Sequence, residues 1–283
     1  MEDKELEPKE FMRDTKNYST REIESYLRKL TELDKRQGVA DTYNENIQAF
    51  LQCCRHDTRK SVQRIAESFS KAREREQAER QRTIKMYREE TILWMNGIVS
   101  IAGIDEVGRG CVAGPVVAGV VILPYDPHIL GLNDSKKLTP SQREQLDEQI
   151  RHAAIDCVIG EVDAETIDRI GIAKATFLAM RQAICGLTFP PDHILVDAFR
   201  IPEVDVPQTN IVGGDGLSAS IAAASIVAKV YRDKKMTEYH QQYPDYGFDR
   251  HKGYGTAEHM KCIADYGLSP LHRKSFLKSI VFS

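Results

Sequence analysis

The chain has 283 residues and 32.0 kDa, with 41% hydrophobic and 29% charged residues. That length suits one large domain, or a domain with an appendage, and the composition excludes a collagen-like, wholly disordered or disulfide-stapled chain. Lys+Arg number 39 against 42 Asp+Glu, a formal −3, which by itself argues against a strongly basic nucleic-acid binder. Cys53, Cys54, Cys111, Cys157, Cys185 and Cys262 form no C-x-x-C pair and no zinc-spaced cluster, so they suit thiols in a reducing compartment. The segment MEDKELEPKEF is acidic and lacks the apolar core of a signal peptide. The longest apolar runs, such as 116–123, fall far short of the ~20 residues of a membrane helix. A cytoplasmic protein is expected.

The chain changes character near residue 98. Residues 1–97 hold only Gly38 and Gly97 of the 18 glycines, and they read as helical. Residues 1–15 are expected to be disordered. Ser19-Thr20-Arg21-Glu22 fits a capping box, and Ile23, Leu27 and Leu30 follow at helical spacing. Tyr43, Ile47, Phe50 and Leu51 repeat the pattern, and Val62, Ile65 and Phe69 carry it into a third stretch beginning near Asp57. Residues 70–83 (SKAREREQAERQRT) have only alanines as apolar residues, so they read as a solvated helix or a linker.

Residues 98–283 alternate strand and helix signals. Strands are expected over 99–105, over 116–123 up to Pro124, and more weakly over 154–162. Residues 163–185 look helical. Short buried strands follow at 193–197 and 209–212. A long helix over 217–239 is rich in Ala and Ser, whose small side chains allow close packing on a sheet. A last helix spans 256–266, with Gly267 as its C-cap. Such an alternation defines an α/β layer domain preceded by a helical extension over 1–97. No internal repeat is visible.

The residues that could carry chemistry are acidic. In Ile101–Gly110, IAGIDEVGRG, Asp105 and Glu106 end a strand and meet a Gly-Arg-Gly turn. Successive strand residues point to opposite faces, so one of the two should face inward, where an unpaired carboxylate is costly. A solvated turn and a divalent-metal site both account for the pair. Asp197 ends the apolar run Ile194-Leu195-Val196, as a metal ligand or as the polar start of a loop. Asp215, in Gly213-Gly214-Asp215-Gly216 before the long helix, also fits an ordinary helix N-cap. Together, four carboxylates with no His or Cys ligand set suit Mg²⁺ or Mn²⁺ rather than zinc, and in-line phosphoryl chemistry uses such sites. No G-x-x-x-x-G-K-[ST] phosphate loop is present.

Several blocks in order give the chain a family likeness. They are DEVGRG at 105–110, AGPVVAGVVILP at 113–124, NDSKKL at 133–138, ILVDAF at 194–199, GGDG at 213–216, SIAAASIVAKVYRD at 220–233, HKGYGT at 251–256 and LSPLHRKSF at 268–276. Over roughly 99–280 the chain resembles ribonuclease HII, and RHDTRKSVQ at 55–63 looks like the N-terminal extension of some bacterial members. The resemblance implies an RNase H-like fold, with a mixed five-stranded sheet flanked by helices and a C-terminal helical segment. It implies cleavage of RNA in RNA–DNA hybrids and on the 5′ side of single ribonucleotides in DNA, leaving 3′-OH and 5′-phosphate, for the removal of misincorporated ribonucleotides. It implies metal binding and catalysis by Asp105, Glu106, Asp197 and Asp215, with Mn²⁺ or Mg²⁺. Gly108, Arg109 and Gly110 resemble the turn that reads the 2′-OH, the group that distinguishes RNA from DNA. Tyr254 resembles the tyrosine that stacks on the junction sugar. A half-buried structural tyrosine is the alternative.

Ser135, Lys136 and Lys137 could hold phosphates, or lie in a solvated loop. His251 and His272 show no clear role, and Asp233 reads as structural. Cys111 and Val112 stand where proline and leucine are usual in the family, and only turn stiffness is expected to change. Ribonuclease HIII commonly has threonine where this chain has Arg109. A monomer is expected. Two rivals are a non-catalytic hybrid-binding protein, against which the intact acidic set speaks, and an actin-like sugar or acid kinase, which the missing phosphate loops and missing duplication disfavour. The net charge divides unevenly. Residues 55–88 hold eleven Lys/Arg against five Asp/Glu, 1–54 hold nine against twelve, and 101–283 hold nineteen against twenty-three. Residues 55–88 are thus a candidate basic arm for phosphates, with a solvated helix as the alternative.

Overall fold

The computed structural model describes residues 15–37, 41–125 and 129–277. The disorder expected of 1–15 therefore falls outside the described residues except at Thr15, which opens a short 3₁₀ turn with its carbonyl held by Arg59 Nη2 at 2.7 Å. The chain forms two compact units that divide between Arg80 and Gln81.

The first unit is helical. It holds α1 (Thr20–Gln37), α2 (Asp41–Arg55) and the first part of α3 (Lys60–Met86). The capping box forms as expected: Glu22 N donates to Ser19 Oγ and Ser19 N to Glu22 Oε2. The periodic residues Ile23, Leu27, Ile47, Phe50, Leu51 and Val62 make one core with Tyr26, Cys54 and Ala66. At the turn before α3, Arg59 forks onto buried Asp57 through Nε and Nη2 and holds its carboxyl well below the usual range. Residues 70–82 continue α3 with no buried side chain, which decides for a solvated helix over a linker.

The second unit begins earlier than residue 98. Met86, Tyr87 and α4 (Arg88–Met95) belong to it, and Met86 and Tyr87 share a core with Val121 and Leu123. The polar composition of the preceding helix masks these few apolar residues. The sheet comprises β1 (Ile101–Val107), β2 (Val116–Ile122), β3 (Asp156–Val162), β4 (His193–Asp197) and β5 (Gln208–Ile211), in the order β3-β2-β1-β4-β5. The pairs β1–β2 and β2–β3 are antiparallel, and β1–β4 and β4–β5 are parallel. The remaining helices are α5 (Pro140–Ala153), α6 (Ala164–Ile170), α7 (Ile172–Cys185), α8 (Ala219–Gln242), α9 (Phe248–His251) and α10 (Ala257–Tyr266).

Alternation along β2 dresses both faces of the sheet. Val116, Ala118, Val120 and Ile122 meet Ala175, Ala179 and Ala183 of α7. Val121 and Leu123 turn instead toward Ala222, Ala223 and Ile226 of α8. Helix α8 lies so close to the sheet that a Cβ at Gly103 would sit 2.0 Å from the Ser220 carbonyl carbon, and one at Gly119 would sit 2.6 Å from the Ala224 oxygen. The Ala/Ser composition of α8 and these two glycines are one packing solution. It lays α8 along β1, with its first turn against Gly103 and Arg232 against Gly108.

Two elements differ from the expectation. Helix α5 is not signalled by periodicity, although Thr139 and Gln142 make a full capping box with Pro140 in the first turn. Its apolar face is thin, with Leu146 and Ile150 as its buried hydrophobics. The helical stretch 163–185 breaks in two at Gly171.

Candidate active site

Two parallel strands deliver two carboxylates to one sheet end. Ile104 pairs with Val196, so Asp105 and Asp197 come next on adjacent strands at their carboxyl ends. Asp105 is 5% exposed, while Glu106 points the other way and is half-buried, as alternation requires. Asp105 Oδ1 accepts from Glu106 N at 2.7 Å, and Ser225 of α8 is among the groups that favour its charged form. Burial, with the Glu106 charge second, pushes the Asp105 carboxyl up to about 8. Burial also raises Glu106, against the opposing effect of Arg109, whose Nη1 donates to Glu106 Oε1 at 3.1 Å. The Gly214 N–H fixes Asp197 Oδ1 at 2.8 Å, and the Asp197 charge acts on Asp105, Glu106 and Asp215 alike.

Asp215 does not cap the long helix. It sits in a 3₁₀ turn over Gly214–Gly216, and Ser218 is the N-cap of α8, its Oγ accepting from Ile221 N at 3.3 Å. The capping role open to Asp215 is thus filled by another residue. Burial and then the charge of Asp134 raise the Asp215 carboxyl, and Lys136 Nζ, 3.4 Å from Oδ2, opposes them. Asp134 is a fifth acid, which the sequence does not single out inside NDSKKL. Its side chain accepts from Lys136 N at 2.9 Å, an ordinary turn bond that masks its electrostatic part.

Among the described residues, no three acidic, His or Cys side chains already close into a coordination sphere. The carboxylates stand as mutually repelling neighbours, with Arg109 and Lys136 as the cations paired to them. An all-oxygen donor set short of positive charge fits a hard divalent cation.

The other expected residues fall into place around this set. Lys136 is largely exposed and Lys137 is exposed. Ser135 is buried, and its hydroxyl pairs with Ser225 Oγ at 3.0 Å. That leaves its side chain turned inward onto Ser225 and away from the phosphate contact expected of it. At Gly108, φ is +92° and a Cβ would meet Arg232 Nε at 2.3 Å, so the fold itself requires glycine there. At Gly110 a Cβ would meet nothing within 4 Å, so packing does not explain that glycine.

Tyr254 is 43% exposed and borders an open groove of about 800 Å³ shared with Arg143, Lys229, Lys234 and Lys252; none of the four carboxylates lines it. Its loop is nevertheless tied to the Gly-Arg-Gly turn, because Val112 N and Ala113 N both donate to the Gly253 carbonyl. Cys111 does more than change turn stiffness. It is fully buried, and its thiol reaches the Lys252 carbonyl at 3.8 Å in the loop that carries Tyr254.

Two buried arginines that the sequence does not reveal hold this region. Arg232 donates to the carbonyls of Pro115, Lys252 and Ala113, and Arg273 to those of Gly114 and Arg109. Both side chains are 0% exposed. Arg232 stands among Lys229, Asp233, Lys234 and Lys235 in α8, so the sequence carries no signal of its burial. Asp233, next to it, pairs with Lys229 and Arg143 in the structural role expected of it.

A mixed five-stranded sheet carrying acids at the ends of two parallel strands, with the turn before a small-residue helix adding another, is the architecture of the RNase H-like class. Comparison with known proteins gives the family. A family model for ribonuclease HII matches residues 102–279, and one for the ribonuclease HII N-terminal domain matches 40–94. Ribonuclease HII of Desulfitobacterium hafniense (strain DSM 10664 / DCB-2) is 48% identical over 239 residues, covering 84% of this chain and 92% of that protein. Ribonuclease HII of Geobacillus thermodenitrificans is 48% identical over 261 residues, covering 92% and 95%. Among solved structures, ribonuclease H2 of Pyrococcus horikoshii superposes with a TM-score of 0.54 at 27% identity, covering 64% of this chain and 96% of that one. The chain belongs to the ribonuclease HII family. It is a divalent-metal-dependent endoribonuclease that acts on RNA–DNA hybrids. No helix among the described residues is long and apolar enough to cross a membrane.

Proposed function

We propose that the chain also incises duplex DNA on the 5′ side of a single embedded ribonucleotide, leaving 3′-OH and 5′-phosphate, and so serves the removal of misincorporated ribonucleotides. The observation that carries this reading is the meeting of Asp105, Glu106, Asp197 and Asp215 beside a backbone turn open at Gly110. In this reading the four carboxylates hold one or two Mn²⁺ or Mg²⁺ ions. Such an ion, when bound, polarises the scissile phosphate and activates water. The chain's own residues do the rest. The Glu106 N–H and the Gly214 N–H fix the directions of Asp105 and Asp197. Lys136 and Lys137 take up backbone phosphates, with Ser135 packed behind them. Arg109 serves the same end, while the backbone at Gly108 and Gly110 approaches the 2′-OH and Tyr254 stacks on the sugar.

The reading further assigns 1–97 to an extension, of which residues 81–97 belong to the same compact unit as the catalytic domain over 98–283, in a cytoplasmic monomer. The basic stretch 55–88 adds sequence-independent phosphate affinity. The test is a duplex with one ribonucleotide, incubated with Mg²⁺ and then Mn²⁺, with the cut mapped to the nucleotide. A single cut 5′ of the ribonucleotide is expected. Intact duplex in both metals, from protein that still cuts long hybrids, would overturn the single-ribonucleotide reading.

A further inference from the structure

Behind the Tyr254 loop lie three histidines that the chemistry above does not use. His251, His259 and His272 are all buried, at 8%, 0% and 2% exposure, and the His251 and His259 rings stack with centroids 4.1 Å apart. Their partners fix where each proton sits. The Tyr246 carbonyl can only accept, so His251 Nε2 carries the hydrogen at 2.7 Å, and its Nδ1 accepts from Gly253 N at 3.2 Å. The Tyr254 carbonyl likewise requires the hydrogen on His259 Nδ1, 2.9 Å away, leaving Nε2 as a bare acceptor. His272 Nδ1 accepts from Ser269 N at 2.9 Å, so its Nε2 bears the hydrogen and donates to His259 Nε2 at 3.0 Å. One set of neutral tautomers therefore satisfies all six ring nitrogens, with no carboxylate among their partners. The nearest charges, Arg250 with Asp249 and Glu258, are paired among themselves. A ring set of this kind is rigid, and two of its bonds end on the backbone of Gly253 and Tyr254.

We infer that His259, oriented by His272 and stacked on His251, is a positioning residue that holds the Tyr254 carbonyl and thereby sets how the Tyr254 ring meets the ribonucleotide sugar. This rests on the reading of Tyr254 as the sugar contact. It adds that three neutral imidazoles, a fold's length away in sequence from the carboxylates, set the specificity side of the site. A purely structural core would hold the same tautomers but would transmit nothing through Tyr254.

Two measurements on the full-length protein test this. In long-range ¹H–¹⁵N spectra of histidine-labelled protein at pH 7, His259 should appear as the Nδ1–H tautomer and His251 and His272 as Nε2–H, all neutral. An Nε2–H or charged His259 would overturn the inference even if every variant failed to fold. In kinetics, His259→Phe fills the space without the bond. It should lower kcat/KM on a single-ribonucleotide duplex by about tenfold, the weight of roughly one hydrogen bond. His259→Asn places an amide nitrogen where Nδ1 stood and should recover most of that loss. In a Tyr254→Ala background, His259→Phe should cost nothing further. Losses that multiply in the double variant, or an Asn variant no better than Phe, would overturn the positioning role. Parental kinetics for Tyr254→Ala alone would instead bring down the reading of Tyr254, and the tautomer spectrum would still report on the histidine set.

Discussion

The carboxylate end of the sheet and the arginine–histidine region behind Tyr254 are built on opposite rules. In the second, Arg232 and Arg273 each place their charge against backbone carbonyls, and three histidines close a complete chain of neutral hydrogen bonds. In the first, Asp105, Glu106 and Asp215 are pushed up by burial and by neighbouring acids, with Arg109 and Lys136 offsetting only part of it. The first holds acids raised by burial and by one another, and the second pairs each of its buried charges and ring nitrogens. A buried charge the protein leaves under-compensated marks function more clearly than a buried charge it neutralises.

The contrast can be broken at its satisfied end first. Arg273→Met removes a buried donor set and strands the Gly114 and Arg109 carbonyls, so a loss of about 3–5 kcal/mol in unfolding free energy is expected. Denaturant melts would report it, and a cost near zero would mean the carbonyls find water.

Acid titration probes the same region. Burial lowers His259 and His272 to about 4, against an ordinary 6.5. The unfolded chain takes up protons below about 6.5 while the folded rings do not. Stability should therefore be full above that pH and fall as pH drops toward 4, by up to about 3 kcal/mol per ring. A smaller fall than the parent's across that window after His259→Asn and His272→Gln would attribute that part of the pH dependence to this pair. An unaltered slope in that variant would exclude it.

The unsatisfied end should behave in reverse. Asp105→Asn, assayed in chelator, should raise stability by about 1–3 kcal/mol by relieving a buried charge, while removing cleavage. Destabilisation there would show that the carboxylate is already well compensated.

Truncation gives the smallest effect and separates the two units. Deleting residues 1–80 should weaken duplex binding a few-fold and flatten its dependence on salt, by about 0.9 in log–log slope for each phosphate no longer neutralised. Deleting 1–97 also removes Glu90, whose buried Oε1 accepts from Ser218 Oγ and Ser220 N at the start of α8. That form should be less stable as well. Equal melting of the two truncated forms would show that Glu90 contributes nothing to the stability of the second unit.

The sequence makes much of this legible where local chemistry and tertiary role agree. The strands at 116–123 and 193–197, the Ala/Ser helix and the Ser19 capping box all form, because burial and periodicity coincide there. The acids are visible from strand ends and glycine turns. What stays hidden depends on distant partners. Arg232 lies in α8 and bonds to carbonyls more than a hundred residues earlier in the chain. Ser135 looks like part of a lysine loop, and only its contact with Ser225 turns it inward. His259 carries no local sign of its role, because nothing near it in sequence announces His272 as its partner. Asp215 admits two readings that sequence does not separate, and Ser218 removes one of them by taking the cap.

The central claim is that the four carboxylates do the cutting. Asp197→Asn tests it most directly, because Asn keeps the oxygen that accepts from Gly214 N and removes the charge felt by the other three. With a single-ribonucleotide duplex in Mg²⁺ or Mn²⁺, the variant should bind as the parent does and cut at least about a thousandfold more slowly. Cutting at the parent rate would place the active site elsewhere.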